Sequence, residues 1–283
     1  MSKFILSAFS DEYCQDFEGQ LKAMNALGFT HIEPRGLDGI NVAELTREQA
    51  LHYKALLDQY GIKVYTIGSP LGKIRIDGDF EYHMAKAERI FEIAKLFGAT
   101  RVRMFSFYPP EGESMGPQYK DKVIEYLTRM LAAAKAHGLV LCHENEGKIY
   151  GESPEQCLEL LEHFGGEMRC VFDMGNFVLG GYDPEHAYDL LAPYVDYFHI
   201  KEALKSGAVV PPGKGDAHIA DIIARHRDKV GKDVVISLEP HLSVFMGRKD
   251  ITTTAFTNPY EYESKEAAFT DAANKLKEIV SAI

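Results

Sequence analysis

The sequence has no run of about 18 uncharged apolar residues, the length a membrane-spanning helix needs, and so predicts no membrane span. Its opening stretch, MSKFILSAFSDEY, is interrupted early by Asp11 and Glu12 and has no small-residue cleavage ending, so it does not read as a signal peptide. Cysteine is scarce. Cys14, Cys142, Cys157 and Cys170 lie scattered with no CxxC pair, which argues against zinc ribbons and disulfide scaffolds and fits a reducing cytoplasm. Basic charge is in deficit: 31 Lys and Arg against 42 Asp and Glu leave a formal net charge of −11, the wrong balance for a nucleic-acid binder. There is no GxGxxG or Walker pattern either, since the first β-rich run leads into Ser10-Asp11-Glu12 instead of a phosphate loop.

What is present is a repeat. The 283 residues, 46% hydrophobic and 26% charged, suit one large domain, expected to span 1–283. Four segments share one pattern, an amphipathic helix, a single glycine and a short β-rich run; their glycines are Gly28, Gly61, Gly98 and Gly138. Glycine belongs just past a helix end, where the chain turns through positive φ. Helix starts are marked as well, by capping boxes at Thr46-Arg47-Glu48-Gln49 and Ser153-Pro154-Glu155-Gln156 and by Asp183-Pro184. Candidate strands fall at 4–9, 30–34, 62–67, 101–106, 139–144, 168–173, 196–200 and 233–239, each followed by a helical pattern. Strict β–α alternation implies a parallel sheet, and eight repeats over this length predict closure into a single (β/α)8 TIM barrel. The α-to-β links are very short, whereas four β-to-α links are long: Gly68 to Phe80, Ser106 to Gln118, Lys201 to Asp216, and Pro240 to about Glu261. In a barrel these long loops gather at the C-terminal face of the strands, where barrel active sites are built.

The last four strands each end in a group able to bind a metal. They read VLCHENE, CVFDMGN, YFHIKE and ISLEPH, and the first ligand-type groups at their ends are Glu144 (or His143), Asp173, His199 and Glu239. His143 points opposite to Glu144 and is expected to pack outward. An isolated strand-end carboxylate is ordinarily an N-cap or a surface ion pair. Four ligand types on four consecutive strands form a different pattern: three anions and an imidazole converging there would repel unless a cation joined them. The expected cofactor is one divalent metal ion, Mn²⁺ first, with Mg²⁺, Co²⁺ and Zn²⁺ also compatible. Around this set, Glu33 could touch a substrate hydroxyl or pair with Arg35. Lys201, two residues past His199, could polarise a carbonyl, bind a phosphate or pair with a carboxylate, and His241 may be grouped with Glu239 at the mouth on the same spacing. Phe105, Phe107 and Tyr108 are candidates for an apolar wall or for core packing.

Here the chain resembles the sugar phosphate isomerase/epimerase members of the xylose isomerase-like barrel superfamily. The resemblance runs over practically the whole chain and rests on L-C-H-E-N at 141–145, D-M-G-N at 173–176, F-H-I-K-E at 198–202, P-G-K-G-D at 212–216 and S-L-E-P at 237–240. It implies that Glu144, Asp173, His199 and Glu239 hold one divalent metal and that Glu144 and Glu239 are the catalytic acid/base pair. Such a metal, chelating a substrate carbonyl and its neighbouring hydroxyl, acidifies the C–H between them and stabilises an enediolate, so two glutamates can serve epimerisation or 1,2-isomerisation. The chain departs from the sugar 3-epimerases at Asn176, where they carry His, and at Lys205, where they carry Arg; both remain expected substrate contacts, with Glu33, Lys201 and His241.

The expected activity is therefore a metal-dependent isomerase or epimerase acting on a ketose, keto-inositol or related small sugar, phosphorylated or not. Lys201, Lys205, Lys214 and Arg248 form no recognised phosphate loop. Proton abstraction beside a ketone can also end in elimination, so a lyase of keto-sugars or 3-keto-glycosides is the alternative. A non-catalytic sugar-binding barrel would not need a complete ligand set. An abasic-site endonuclease would need further strand-end histidines where this chain has Glu33, Ile67-Gly68-Ser69 and Ser106. A homo-oligomer is compatible with all of these. The link from His241 to Tyr260, which carries Phe245, Met246, Phe256, Arg248 and Lys249, reads either as a lid over the metal or as a segment packed on helix eight or on another subunit.

Overall fold

Apolar runs buried on both faces form the barrel staves: β1 (Phe4–Ala8), β2 (His31–Ile32), β3 (Thr66–Leu71, preceded by the short segment Lys63–Val64), β4 (Arg101–Met104), β5 (Val140–Glu144), β6 (Met168–Asp173), β7 (Val195–Ile200) and β8 (Val234–Leu238). From β3 to β8 each strand pairs in parallel with the next, and β8 returns to β1 in the register Phe4↔Val234 to Ala8↔Leu238. β2 fills the remaining arc. It pairs in parallel with Lys63–Val64, and the Glu33 N–H donates to the Ala8 carbonyl at 2.9 Å. This is the expected TIM barrel, seen in a computed structural model that describes residues 3–243 and 260–283. The proposed lid residues Phe245, Met246, Arg248, Lys249 and Phe256 lie outside the described residues.

Helices α1 (Phe17–Ala26), α2 (Arg47–Tyr60), α3 (Phe80–Phe97), α4 (Lys120–Ala136), α5 (Pro154–His163), α6 (Met174–Leu179), α7 (Pro184–Leu191), α8 (Ile219–Val230) and α9 (Lys265–Ala282) alternate with the strands. Both expected capping boxes form, Thr46 with Gln49 and Ser153 with Gln156, each satisfying two N–H groups that a helix start would otherwise leave unpaired. Gly61 and Gly98 close α2 and α3 in the left-handed conformation, as the repeat predicted.

Two apolar layers follow from strand alternation. Outward residues such as Ile32, Val102, Leu141 and Phe198 join the helices in the main core, while Cys142, Val171, Tyr197 and Val235 fill the barrel interior. Because side chains alternate with period two, the inward face climbs from this plug to polar groups: Cys142 to Glu144, Val171 to Asp173, Tyr197 to His199 and Lys201, Val235 to Ser237 and Glu239. The barrel's own pleat thus aims the candidate ligands into its mouth.

Two expected loops are more ordered than the sequence suggested. β3 runs on through Leu71, into the stretch read as loop from Gly68, because Leu71 pairs with Met104 and its carbonyl accepts from the Phe105 N–H at 2.8 Å. The zipper continues from Phe107 N–H to Gly72 and from Tyr108 N–H to Ile74. Phe107 takes φ +70 in this bend and is wholly buried against Phe80 and Tyr126, so it is core. The link after β7 carries a hairpin, Glu202–Ala203 with Val209–Val210. The buried Glu202 carboxylate accepts N–H bonds from Gly213 at 3.0 Å and Ala217 at 2.9 Å, pinning the far end of the loop.

Two buried histidines make stability pH-dependent. Burial pushes His83 and His226 down to about 4, and His83 Nε2 accepts the Gly72 N–H at 2.8 Å, a bond that requires the neutral ring. Both pKa values are lowered in the fold, so as pH falls below about 6.5 the unfolded chain takes up protons first. Chemical denaturation should show the histidines' contribution to stability complete above that point and declining as pH falls towards 4. His83→Gln, which keeps an acceptor but does not titrate, should show a shallower decline; an unchanged slope would remove His83 from this account.

Candidate metal centre

Glu144, Asp173, His199 and Glu239 are each at most 3% exposed and offer ligand atoms that all lie within 4.8 Å of one another. They come from the ends of β5, β6 and β7 and from the residue after β8. Asp173 is also the N-cap of α6: its Oδ1 accepts the Asn176 N–H at 2.8 Å, leaving Oδ2 for the mouth. Asn145 brackets the same strand end, accepting from Asp173 N–H at 3.0 Å and donating to the Asp173 carbonyl at 2.9 Å.

The imidazole of His199 is held edge-on. Its Nε2 lies 3.0 Å from Glu33 Oε2, and the other Glu33 oxygen accepts from the Tyr197 hydroxyl at 3.0 Å. Its Nδ1 therefore faces the cluster, 3.1 Å from Glu144 Oε1 and 3.5 Å from Glu239 Oε2, with no hydrogen-bond partner of its own. A carboxylate behind one ring nitrogen and an unbonded second nitrogen among carboxylates is the arrangement of a metal-binding histidine. Glu144 Oε2 is likewise buried without a hydrogen bond, although Arg103 Nη1 stands 3.1 Å away. This donor set, three carboxylates and one imidazole, fits a divalent ion.

Protein cations surround the carboxylates. Arg35 Nη1 donates to Glu239 Oε1 at 2.9 Å, while its other nitrogens hold Asp11 and Glu12. Arg103 reaches Glu144 and lies 3.7 Å from Glu239 Oε1. Lys201 Nζ bonds Asp173 Oδ2 at 2.7 Å, Glu239 Oε2 at 3.0 Å and Asn176 Oδ1 at 3.1 Å. Burial opposes ionisation of Glu144, but His199 and Arg103 outweigh it and bring the carboxyl down to about 2. Glu239 is likewise held well below the usual carboxylate range, chiefly by Lys201, His241 and His199 against the cost of burial. Asp173 goes the other way, up to about 6, because burial and the neighbouring glutamates outweigh Lys201. Glu12 rises to about 8, through burial first and the charges of Glu239 and Asp11 next, with Arg35 opposing. Burial would strip the proton from His199, yet Glu33 and Glu144 push it up to about 10; a dication at Nδ1 would answer the same pull.

The expected contacts divide into groups. Asn176 and Lys201 are in the cluster, and His241 stands beside it with Nε2 3.4 Å from Glu239 Oε1 and 3.5 Å from Glu12 Oε1. Glu33 is fully buried behind His199, and the ion pairs described for Arg35 are with Asp11, Glu12 and Glu239. Lys205 is exposed at the hairpin tip, where its N–H donates to Asp216 at 2.7 Å, and no described contact joins it to the cluster. His143 packs away from the cluster, as expected, with Nε2 2.9 Å from Ser106 Oγ. Arg103 and Glu12 carry no role in the sequence reading, and Arg35 entered it only as a candidate partner of Glu33. The signal available for Arg103 was its period-two place above Arg101, on the face that points inward.

Glu33→Gln should weaken Mn²⁺ binding by about 10- to 100-fold, the usual cost of losing the group that orients a ligating histidine. Calorimetric titration of wild type, expected to take up about one equivalent, and of the variant checks this. Unchanged affinity in the variant would show that Glu33 does not serve the metal.

No curated protein matches the chain by sequence. Solved structures do match in fold. A D-allulose 3-epimerase from Methylomonas sp., crystallised with D-allulose, is 13% identical with TM-score 0.75, covering 100% of this chain and 98% of that one. The probable 3-DHS dehydratase of petrobactin synthesis from Bacillus anthracis is 17% identical with TM-score 0.71, covering 98% and 99%. A xylose isomerase-like TIM barrel protein from Mycobacterium smegmatis, in complex with magnesium, is 20% identical with TM-score 0.70, covering 94% and 88%. The family model described as xylose isomerase-like TIM barrel matches residues 21–278, and the chain belongs to that family.

Proposed function

We propose that the protein is a divalent-metal-dependent isomerase or epimerase of a ketose, keto-inositol or related small sugar, working by proton abstraction beside a carbonyl. The observation that carries this reading is the His199 imidazole, fixed by Glu33 on one side and presenting an unbonded Nδ1 to three carboxylates on the other. Glu144, Asp173, His199 and Glu239 would hold the ion, with Mn²⁺ the first expectation. When bound, it supplies a Lewis acid that polarises the substrate carbonyl and stabilises the negative charge of the enediolate.

The residues do the rest. Glu144 and Glu239 are both ionised at neutral pH, so each can accept a carbon-bound proton. Carboxylates held this low are weak bases, so the reaction requires a substrate strongly acidified at the carbon they attack. Arg35 bonds Glu239 Oε1 and Arg103 stands as a counter-charge beside Glu144 Oε2, so both glutamates are held in place from outside the cluster. Asn176, half-buried at the rim with Lys201 bonded to its Oδ1, would be the polar group nearest incoming substrate oxygens. The sugar substrate named for the Methylomonas relative supports the substrate class.

Elimination is the second reading, supported by the fold shared with a dehydratase, since it begins with the same proton removal. A screen of ketoses, keto-inositols, their phosphates and 3-keto-glycosides with Mn²⁺ in D₂O separates the two. Isomerisation or epimerisation gives a rearranged, deuterated sugar, and elimination gives an unsaturated product. Glu144→Gln and Glu239→Gln should each reduce solvent exchange by about 10²- to 10⁴-fold. Wild-type exchange rates in either variant would overturn the acid/base assignment.

A further inference from the structure

We propose that Lys201 is an exchangeable counter-ion: its ammonium holds the Asp173 and Glu239 oxygens that a divalent metal needs, yields them when the metal binds, and turns on Asn176 to face the substrate. This rests on the metal-site reading above.

The oxygens are assigned by elimination. Asp173 Oδ1 is committed to the Asn176 N–H, and Glu239 Oε1 to Arg35. The remaining oxygens, Asp173 Oδ2 and Glu239 Oε2, are the two that Lys201 Nζ holds, at 2.7 and 3.0 Å. Glu239 Oε2 is also the oxygen nearer His199 Nδ1, on the side where the ligands converge. An ammonium sharing these oxygens with a dication would place like charges within a few ångströms, in a site where Lys201 is only 3% exposed and water screens little. One of them has to withdraw. The arginines cannot trade places in this way, because their planar guanidiniums are fixed in fork geometry by several bonds; an ammonium is a point charge on a flexible four-carbon stem and can turn from one acceptor to another.

The start of the lysine stem is held in place: a Cβ at Gly175 would lie 2.6 Å from the Lys201 carbonyl oxygen and 2.8 Å from its Cγ, so only the glycine of the D-M-G-N run lets the stem pack here, and the exchange falls to the atoms beyond Cγ. The third partner of the ammonium, Asn176 Oδ1 at 3.1 Å, is half-buried at the rim and is not among the four metal-ligand groups. An ammonium that gives up the two carboxylates keeps this contact and presents its other protons to the mouth. There it would meet an oxygen of a carbonyl substrate as negative charge develops. Metal binding and the arming of a substrate-facing cation then become one event, and without metal the carboxylates remain paired.

Mn²⁺ titration followed by electron paramagnetic resonance tests the exchange without any substrate. Lys201→Met should bind Mn²⁺ at least about tenfold more tightly than wild type, and Lys201→Gln, which keeps a donor without the charge, should move the same way. Lys201→Arg should bind no more tightly than wild type. Thermal melting should place both neutral variants below wild type without metal, with the gap closing as Mn²⁺ is added. Neutral variants that bind Mn²⁺ no better than wild type, while wild type binds it, would overturn the exchange alone. A wild type that binds no Mn²⁺ would overturn the metal site and the exchange together.

Discussion

The mouth of this barrel depends on one constraint: carboxylates removed from water must be matched by positive charge. Glu33, Glu144, Asp173 and Glu239 are almost fully buried, with Asp11 and Glu12 adjoining. A buried carboxylate whose cation does not offset burial and neighbouring negative charge gives up its own charge, as Glu12 does when it rises to about 8 although it shares Arg35. Arg35, Arg103 and Lys201 keep Glu144 and Glu239 ionised. The three cations come from the β2 end, β4 and the β7 end, so their pairings also tie distant parts of the chain across the mouth. A dication bound there would complete this balance without having to create it.

The barrel makes such a concentration of charge affordable through its pleat. The inward positions of β5, β6, β7 and β8 are apolar below and ionisable above, so the plug formed by Cys142, Val171, Tyr197 and Val235 closes the lower side of the site. Tyr197 belongs to both levels, packed in the plug while its hydroxyl donates to Glu33. Packing in the interior therefore fixes the carboxylate that orients His199, and through it the direction in which Nδ1 faces.

The barrel and the four ligand candidates were legible in the sequence because both follow from short-period rules. Helix caps and closing glycines mark the α segments, and alternation along a strand carries an apolar interior position to a polar end two residues later. The arginines were not legible in the same way. Arg103 follows the same period, but an arginine in a strand has no local signal for its partner. Arg35 meets Glu239 across 204 residues of chain, a contact created only when β8 closes on β1. Glu33 reads as a strand-end group able to touch substrate or pair with Arg35, and its depth beneath His199 depends on how neighbouring strands are staggered. The exposed position of Lys205 was not legible, because neither spacing nor resemblance reveals that Glu202 and Asp216 hold its loop with the tip turned outward.

That pinned loop has a meaning for divergence. Glu202 grips the backbone of Gly213 and Ala217, and Gly215 packs so closely that a Cβ would lie 2.6 Å from Glu202 Oε1. Variation at the exposed tip around Lys205 and Gly207 is thereby uncoupled from His199 and Lys201 at the loop's root. A lineage carrying this anchor can lengthen, shorten or recharge the tip through successive mutations while the charged cluster at the loop's root stays in place. The hairpin is thus a region in which the surface around the mouth can be varied at little risk to what lies beneath it.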